Sequence, residues 1–194
     1  MTCRSSFWAD RETAQVWARW LLAHDNLVVL DTETTGLGDT AEAVSVAAID
    51  RAGCILLDAQ VRPVYPVPRE AMRIHGITNA GLIHAQTFVD LYPRLRWVFG
   101  EFHVVIFNAA FDERAINQCC ALHDLPPLKG PAWNCVMEGF AAYWGDWSEY
   151  WGNYKWKSLE FAAGYAGYEQ EKAHDALDDC RATLAVLKCM AEGR

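Results

Sequence analysis

Asp31 and Glu33 stand in LDTETTG, Asp112 closes FNAAFD, and His174 and Asp179 stand in HDALDDCRAT. Four carboxylates and an imidazole are the side chains that hold hard divalent cations and move protons. The first pair follows Leu27-Val28-Val29-Leu30, an apolar run that predicts a buried strand ending in charge. Alternation along a strand points Asp31 and Glu33 the same way and Thr32 the opposite way. Two carboxylates on one face repel each other unless protons or cations neutralise them; the competing reading is a solvated strand end.

The other three residues depend on helices. Asp112 falls at the first turn of a helix predicted from Asp112 to Leu122, just after a strand over His103 to Phe107 that leads to Asn108. Catalytic groups gather at such strand ends in open α/β sheets, although helix capping accounts for an acid there equally well. A last helix is predicted from Asp175 to Met190, with Leu177, Cys180, Leu184 and Leu187 as its core-facing stripe. At roughly 100° per residue, Asp179 borders that stripe and Asp178 lies nearly opposite its centre. Asp179 is therefore the ligand candidate, while Asp175 suits capping and Asp178 a structural role. His174 precedes the helix, where a loop lets its ring reach the same site; the alternative is surface decoration.

These positions require a scaffold. Asp10 to His24 predicts a helix capped by Asp10, with Val16, Trp17, Trp20 and Leu21 as its apolar stripe. Strands over Ala43 to Ile49 and Ile55 to Val61, joined by Asp50-Arg51-Ala52-Gly53, predict an antiparallel meander with the first strand. Phe88, Leu91, Leu95, Val98 and Phe99 recur at helical spacing, with Pro93 near the helix start. A fifth strand is expected around Trp133 to Val136, and helices near Met137 to Tyr143 and Ser158 to Tyr165. Strands that meander and then alternate with helices indicate the α/β class, a mixed sheet covered by helices.

Composition narrows the function. The 194 residues, 52% hydrophobic and 22% charged, predict one globular domain over 1–194, with a helical extension over 1–25 and a Trp-rich segment over 133–157. No apolar run reaches the roughly 18 residues of a membrane helix, and no secretory signal is evident, so the expectation is a soluble, cytoplasmic chain with no membrane partner. Seven cysteines without a C-x-x-C pair disfavour a zinc site or disulfide framework. A net charge of −8 argues against gripping nucleic acid through overall positive potential. It leaves a nuclease open, because metal ions reverse the local field of a carboxylate site.

DTETTG, IHGIT, NAAFD and HDALDD, in this order and separation over about Leu27 to Leu187, closely resemble the DnaQ-like family of DEDDh 3′-5′ exonucleases. The resemblance implies an RNase H-like fold, a five-stranded mixed sheet flanked by helices. It also implies that Asp31, Glu33, Asp112 and Asp179 bind two Mg²⁺ or Mn²⁺ ions and that His174 takes a proton from the attacking water. A sister subgroup uses a tyrosine four residues before the last aspartate; Asp175 stands there, so the histidine subgroup is the better match. By the family's habits, Thr34, Thr35, Gly36 and Leu37 receive the terminal nucleotide and His75 contacts it, while Arg69 or Arg73 either approaches phosphate or belongs to the solvated surface. Asn108 steadies the strand and Phe111 lines the base pocket.

The resulting expectation is release of mononucleotides from the 3′ end of single-stranded DNA or duplex DNA ends. RNA is the alternative substrate. A non-catalytic nucleic-acid-binding or polymerase-accessory module is the alternative of another class, opposed by all five motif residues being intact. Neither oligomerisation nor a polymerase partner is indicated. Trp133, Trp144, Trp147, Trp151 and Trp156, with Tyr143, Tyr150 and Tyr154, suit either a stacking platform beside Lys155 and Lys157 or, preferentially, an aromatic cover or subunit contact.

Overall fold

The computed structural model describes residues 10–129 and 134–194. Its elements in order are α1 (Arg11–Leu22), β1 (Leu27–Thr34), β2 (Ala43–Asp50), β3 (Ile55–Arg62), α2 (Arg69–His75), β4 (Gln86–Thr87), α3 (Phe88–Glu101) and β5 (His103–Ile106). There follow α4 (Ala109–Leu122), β6 (Asn134–Cys135), α5 (Val136–Trp144), β7 (Trp147–Ser148), β8 (Asn153–Tyr154), α6 (Leu159–Ala166) and α7 (Ala176–Glu192). The sheet runs β4-β3-β2-β1-β5-β6. Strands β1, β2 and β3 form the antiparallel meander, while β5 pairs parallel with β1 and β6 parallel with β5.

The α/β class with helices on both faces is as expected, but the sheet has six strands rather than five. The added strand, β4, lies parallel to the end of β3, Val61 opposite Gln86. Two residues carry no readable periodicity; what recruits them is the open backbone edge of β3. The expected fifth strand is β6, also two residues long, and Trp133 lies outside the described residues.

Strict alternation in β1 builds the two layers. Leu27 and Val29 pack with Ala47, Ile49 and Val105 against α1, α5, α6 and α7. Val28 and Leu30 pack with Val46, Ala48, Leu57 and Ile106 against α3 and α4. In α1 the buried stripe is Ala14, Trp17, Ala18 and Leu21, whereas Val16 and Trp20 face solvent, contrary to expectation. Trp17 lies 2.8 Å from where a Cβ on Gly139 would stand, so small residues draw α1 inward and rotate its stripe. Helix α3 buries all five predicted positions and carries Pro93 in its second turn, deeper than the start. Helix α4 begins at Ala109, three residues earlier than expected, with Asp112 still in the first turn.

Between Glu33 and Thr34 the β1–β2 register slips: Glu33 faces Ser45, Thr34 faces Ala43, and Val44 is the extra residue. Such bulges re-aim side chains beside functional sites. Here Val44 packs with Val67, Ala71 and Leu82, which fixes α2 over the end of β1.

Candidate active site

The ends of β1 and β5 and the starts of α4 and α7 converge on a cleft of about 700 Å³, a size typical of a ligand site. Asp31, Glu33, Asp112, His174 and Asp179 all line it. Asp31 and Glu33 share the face of β1 that looks toward α7, as alternation requires. Asp112 comes from the other layer: Thr32 Oγ1, on the opposite face of β1, donates to Asp112 Oδ1 at 2.7 Å. Asp112 is thus held by a strand hydroxyl and does not cap its helix. Among the described residues, Glu33, His174 and Asp179 bring ligand atoms within 4.8 Å of one another.

The electrostatics record the crowding. Burial, then the charges of Asp112, Asp179 and Glu33, hold the Asp31 carboxyl well above its usual range. Burial, followed by Asp179 and Asp112, pushes Glu33 to about 8. Burial pushes Asp112 to about 7 against the hydrogen bonds from Thr32, and Asp179 to about 6 against the attraction of His174. Several carboxylates that resist ionising together are a site short of positive charge, and oxygen donors of this kind suit hard divalent cations.

His174 has φ +61°, a left-handed conformation that turns its ring back over Glu33 and Asp179. Asp175 caps α7 by accepting from Asp178 N–H, as expected. Asp178 is structural but buried, not turned outward: it accepts from Tyr168 Oη at 2.7 Å and from Lys172 N–H at 2.9 Å. Helix α7 touches α1, α5 and α6 as well as the sheet, so neighbours cover nearly its whole circumference.

The expected substrate contacts line the same cleft: Thr34, Thr35, Gly36, Leu37, His75, Asn108 and Phe111. Thr34 Oγ1 donates to the Gly36 carbonyl, and Thr35 exchanges two hydrogen bonds with the backbone of Glu42. The buried Glu42 carboxylate accepts from Val64 and Tyr65 N–H at 2.7 and 2.9 Å, tying the 63–68 loop to the same lip. A Cβ on Gly36 would meet nothing within 4 Å, and Leu37 is 79% exposed. Asn108 precedes α4 without a side-chain cap bond. His75 Nδ1 accepts from Ile77 N–H, which places the ring proton on a buried Nε2 that finds no partner of hydrogen-bond geometry. Burial lowers its pKa, offset in part by the Thr34 backbone.

Local patterning missed several residues. The face of α2 on the cleft is Glu70, Ala71, Ile74 and His75, and neither Arg69 nor Arg73 lines it. Arg114 donates to the Leu37 carbonyl at 3.2 Å and stacks over Phe111, joining two contact residues; it stands one helical turn after Phe111, a spacing that could have revealed it. Gln170 donates to Asp179 Oδ1 at 2.6 Å, which no sequence pattern announces. The aromatic segment divides: Trp144 packs with Phe140, Phe161 and Tyr165, whereas Trp147, Tyr150, Trp151 and Trp156 are largely exposed. Lys155 and Lys157 both pair with Asp146.

The sequence matches the RNase T exonuclease family model over residues 28–187. The chain belongs to this exonuclease family. It is 40% identical over 181 residues to the uncharacterized exonuclease CP81 of Escherichia phage 186, covering 90% of this chain and 92% of that one. It is 32% identical over 163 residues to exodeoxyribonuclease 10 of Escherichia coli strain K12, covering 83% of this chain and 66% of that enzyme. Among solved structures, exonuclease X in complex with 5′ overhanging duplex DNA superposes with a TM-score of 0.64 at 27% identity, over 86% of this chain and 91% of that one. The DnaQ-like, DEDDh assignment therefore holds, and the family is one that uses divalent metal ions. No helix among the described residues is long and apolar enough to cross a membrane.

Proposed function

We propose that this exonuclease removes nucleoside monophosphates from the 3′ end of DNA, with Asp31, Glu33, Asp112 and Asp179 holding two divalent cations, Mg²⁺ or Mn²⁺. The observation that carries this reading is the convergence of the four carboxylates with His174, from three separate elements, in one cleft. Exonuclease X, solved with 5′ overhanging duplex DNA, supports a recessed 3′ end beside a single strand as substrate.

Phosphodiester hydrolysis adds charge to an already anionic phosphate, and bound cations supply Lewis-acid stabilisation of the attacking and departing oxygens. The chain's own groups supply position and proton transfer. His174, turned over the carboxylates, takes the proton from the attacking water. Leu37, at the exposed lip, and Phe111, steadied by Arg114, bracket the terminal base. Asn108 and His75, both lining the cleft, contact the terminal nucleotide.

The test is digestion of matched 5′-labelled single-stranded, recessed and blunt DNA and RNA with Mg²⁺, Mn²⁺ or chelator, with Asp31→Ala as control. A ladder shortening from the 3′ end only with metal, faster on DNA, is expected. Activity that survives chelation or the Asp31 change would refute the metal mechanism, and faster digestion of RNA would move the substrate.

A further inference from the structure

Helix α6 ends at Ala166 with Gly167 as its C-cap, and the chain crosses Tyr168 to Asp175 without regular structure before α7 begins. Two adjacent aspartates of α7 hold this strap by different bonds. Asp178 accepts from Tyr168 Oη at 2.7 Å through one oxygen and from Lys172 N–H at 2.9 Å through the other, so both its oxygens are engaged on the strap. Asp179 spends only Oδ1, on Gln170 Nε2 at 2.6 Å, which leaves its second oxygen open. His174 lies between Lys172, pinned by Asp178, and Asp175, fixed as the α7 cap. A left-handed residue other than glycine persists only where its surroundings over-determine it, and these two anchors do so.

We propose that Gln170 is a positioning residue for the carboxylate cluster, orienting Asp179 toward its divalent cation, while Tyr168, through Asp178, positions His174. This rests on the metal-dependent reading above. An amide N–H cannot ligate a cation; it can only fix the carboxylate that does. Held through Oδ1, the Asp179 carboxylate cannot rotate freely, and its other oxygen is presented where Glu33 and His174 converge. The two pins therefore have separable tasks: the Gln170 bond sets cation affinity, and the Tyr168 bond sets the reach of the base.

The decisive comparison is between Gln170→Met, which keeps length and removes the amide, and Tyr168→Phe, which removes one hydroxyl. Mn²⁺ binding is measured by calorimetry and by the Mn²⁺ spin-resonance signal, without nucleic acid, alongside melting temperature and single-turnover hydrolysis of a 5′-labelled oligonucleotide. Partners of metal ligands typically control about 10–100-fold in affinity or activity. Gln170→Met is expected to weaken Mn²⁺ binding about tenfold at an unchanged metal-free melting temperature. Tyr168→Phe is expected to keep Mn²⁺ affinity and slow hydrolysis at saturating Mn²⁺. Wild-type affinity in Gln170→Met, or equal loss of affinity in both variants, overturns the division of tasks. Absence of Mn²⁺ binding by the wild-type protein would instead remove the metal-dependent reading beneath it.

Discussion

His174 sits where the exposed strap before α7 meets the carboxylates of β1 and α7. It stands within ligand distance of Glu33 and Asp179, yet it is exposed and held on a left-handed turn at the end of a pinned strap. A proton acceptor needs access to water, and the exposed His174 ring has it. His174→Ala should lower kcat by about 10²–10⁴-fold, the range for loss of a general base, with Mn²⁺ stoichiometry and affinity preserved in calorimetry. Loss of a bound Mn²⁺ would make it a ligand instead. Thr32 shows how much one hydroxyl decides: placed on the far face of β1 by alternation, it draws Asp112 from the opposite layer into the same cleft.

At the scale of elements, the cleft is built from irregularities in regular structure. The bulge at Glu33 and Thr34 sends Val44 to α2, and Glu42 beside it fastens Thr35 on one side and the 63–68 loop on the other. Glu42→Ala leaves two N–H groups without their acceptor, at a cost of about 1–3 kcal/mol each if they stay buried. We expect a melting temperature lower by several degrees and a raised KM with kcat less affected, because the lip and not the carboxylate cluster is loosened; an unchanged KM would show that the lip does not bind substrate. The aromatic segment predicts a contrast between neighbours. Trp144, 38% exposed and in contact with three rings, should cost about 2–3 kcal/mol when cut to alanine, below the 3–5 of a full core tryptophan. Trp151, 73% exposed, should cost within about 0.5 kcal/mol. Denaturant unfolding of the two variants checks this, and a large loss at Trp151 would mean that it is covered in solution.

For the whole molecule, a net charge of −8 and a cleft of acids make the metal-free protein work against itself. Asp31 is raised well above its usual range, Glu33 to about 8, Asp112 to about 7 and Asp179 to about 6, against about 4 in an unfolded chain. From about pH 4 to 8 the folded state therefore holds more protons than the unfolded state, and stability falls as pH rises through that window. In chelator the melting temperature should decline from about pH 5 to 8, and Mn²⁺ should raise it more at the upper end, where the ligands are deprotonated. A chelated protein whose melting temperature climbs with pH across this range would contradict the crowding. Much of this was legible in the chain, because the chemistry lies in short local patterns. The LDTETTG strand end and the Asp10 and Asp175 caps follow from local patterns, the alternation of a strand and the side chains that cap a helix, which local stereochemistry imposes before any packing. What tertiary structure decided is pairing between distant segments. The two-residue β4, the inward stripe of α1, the burial of Asp178, the Thr32–Asp112 bond across the sheet and the Gln170–Asp179 bond depend on which surfaces meet. Meeting is set by shape, by open strand edges and by the satisfaction of buried polar groups, quantities that belong to pairs of segments and leave no periodic trace in either one.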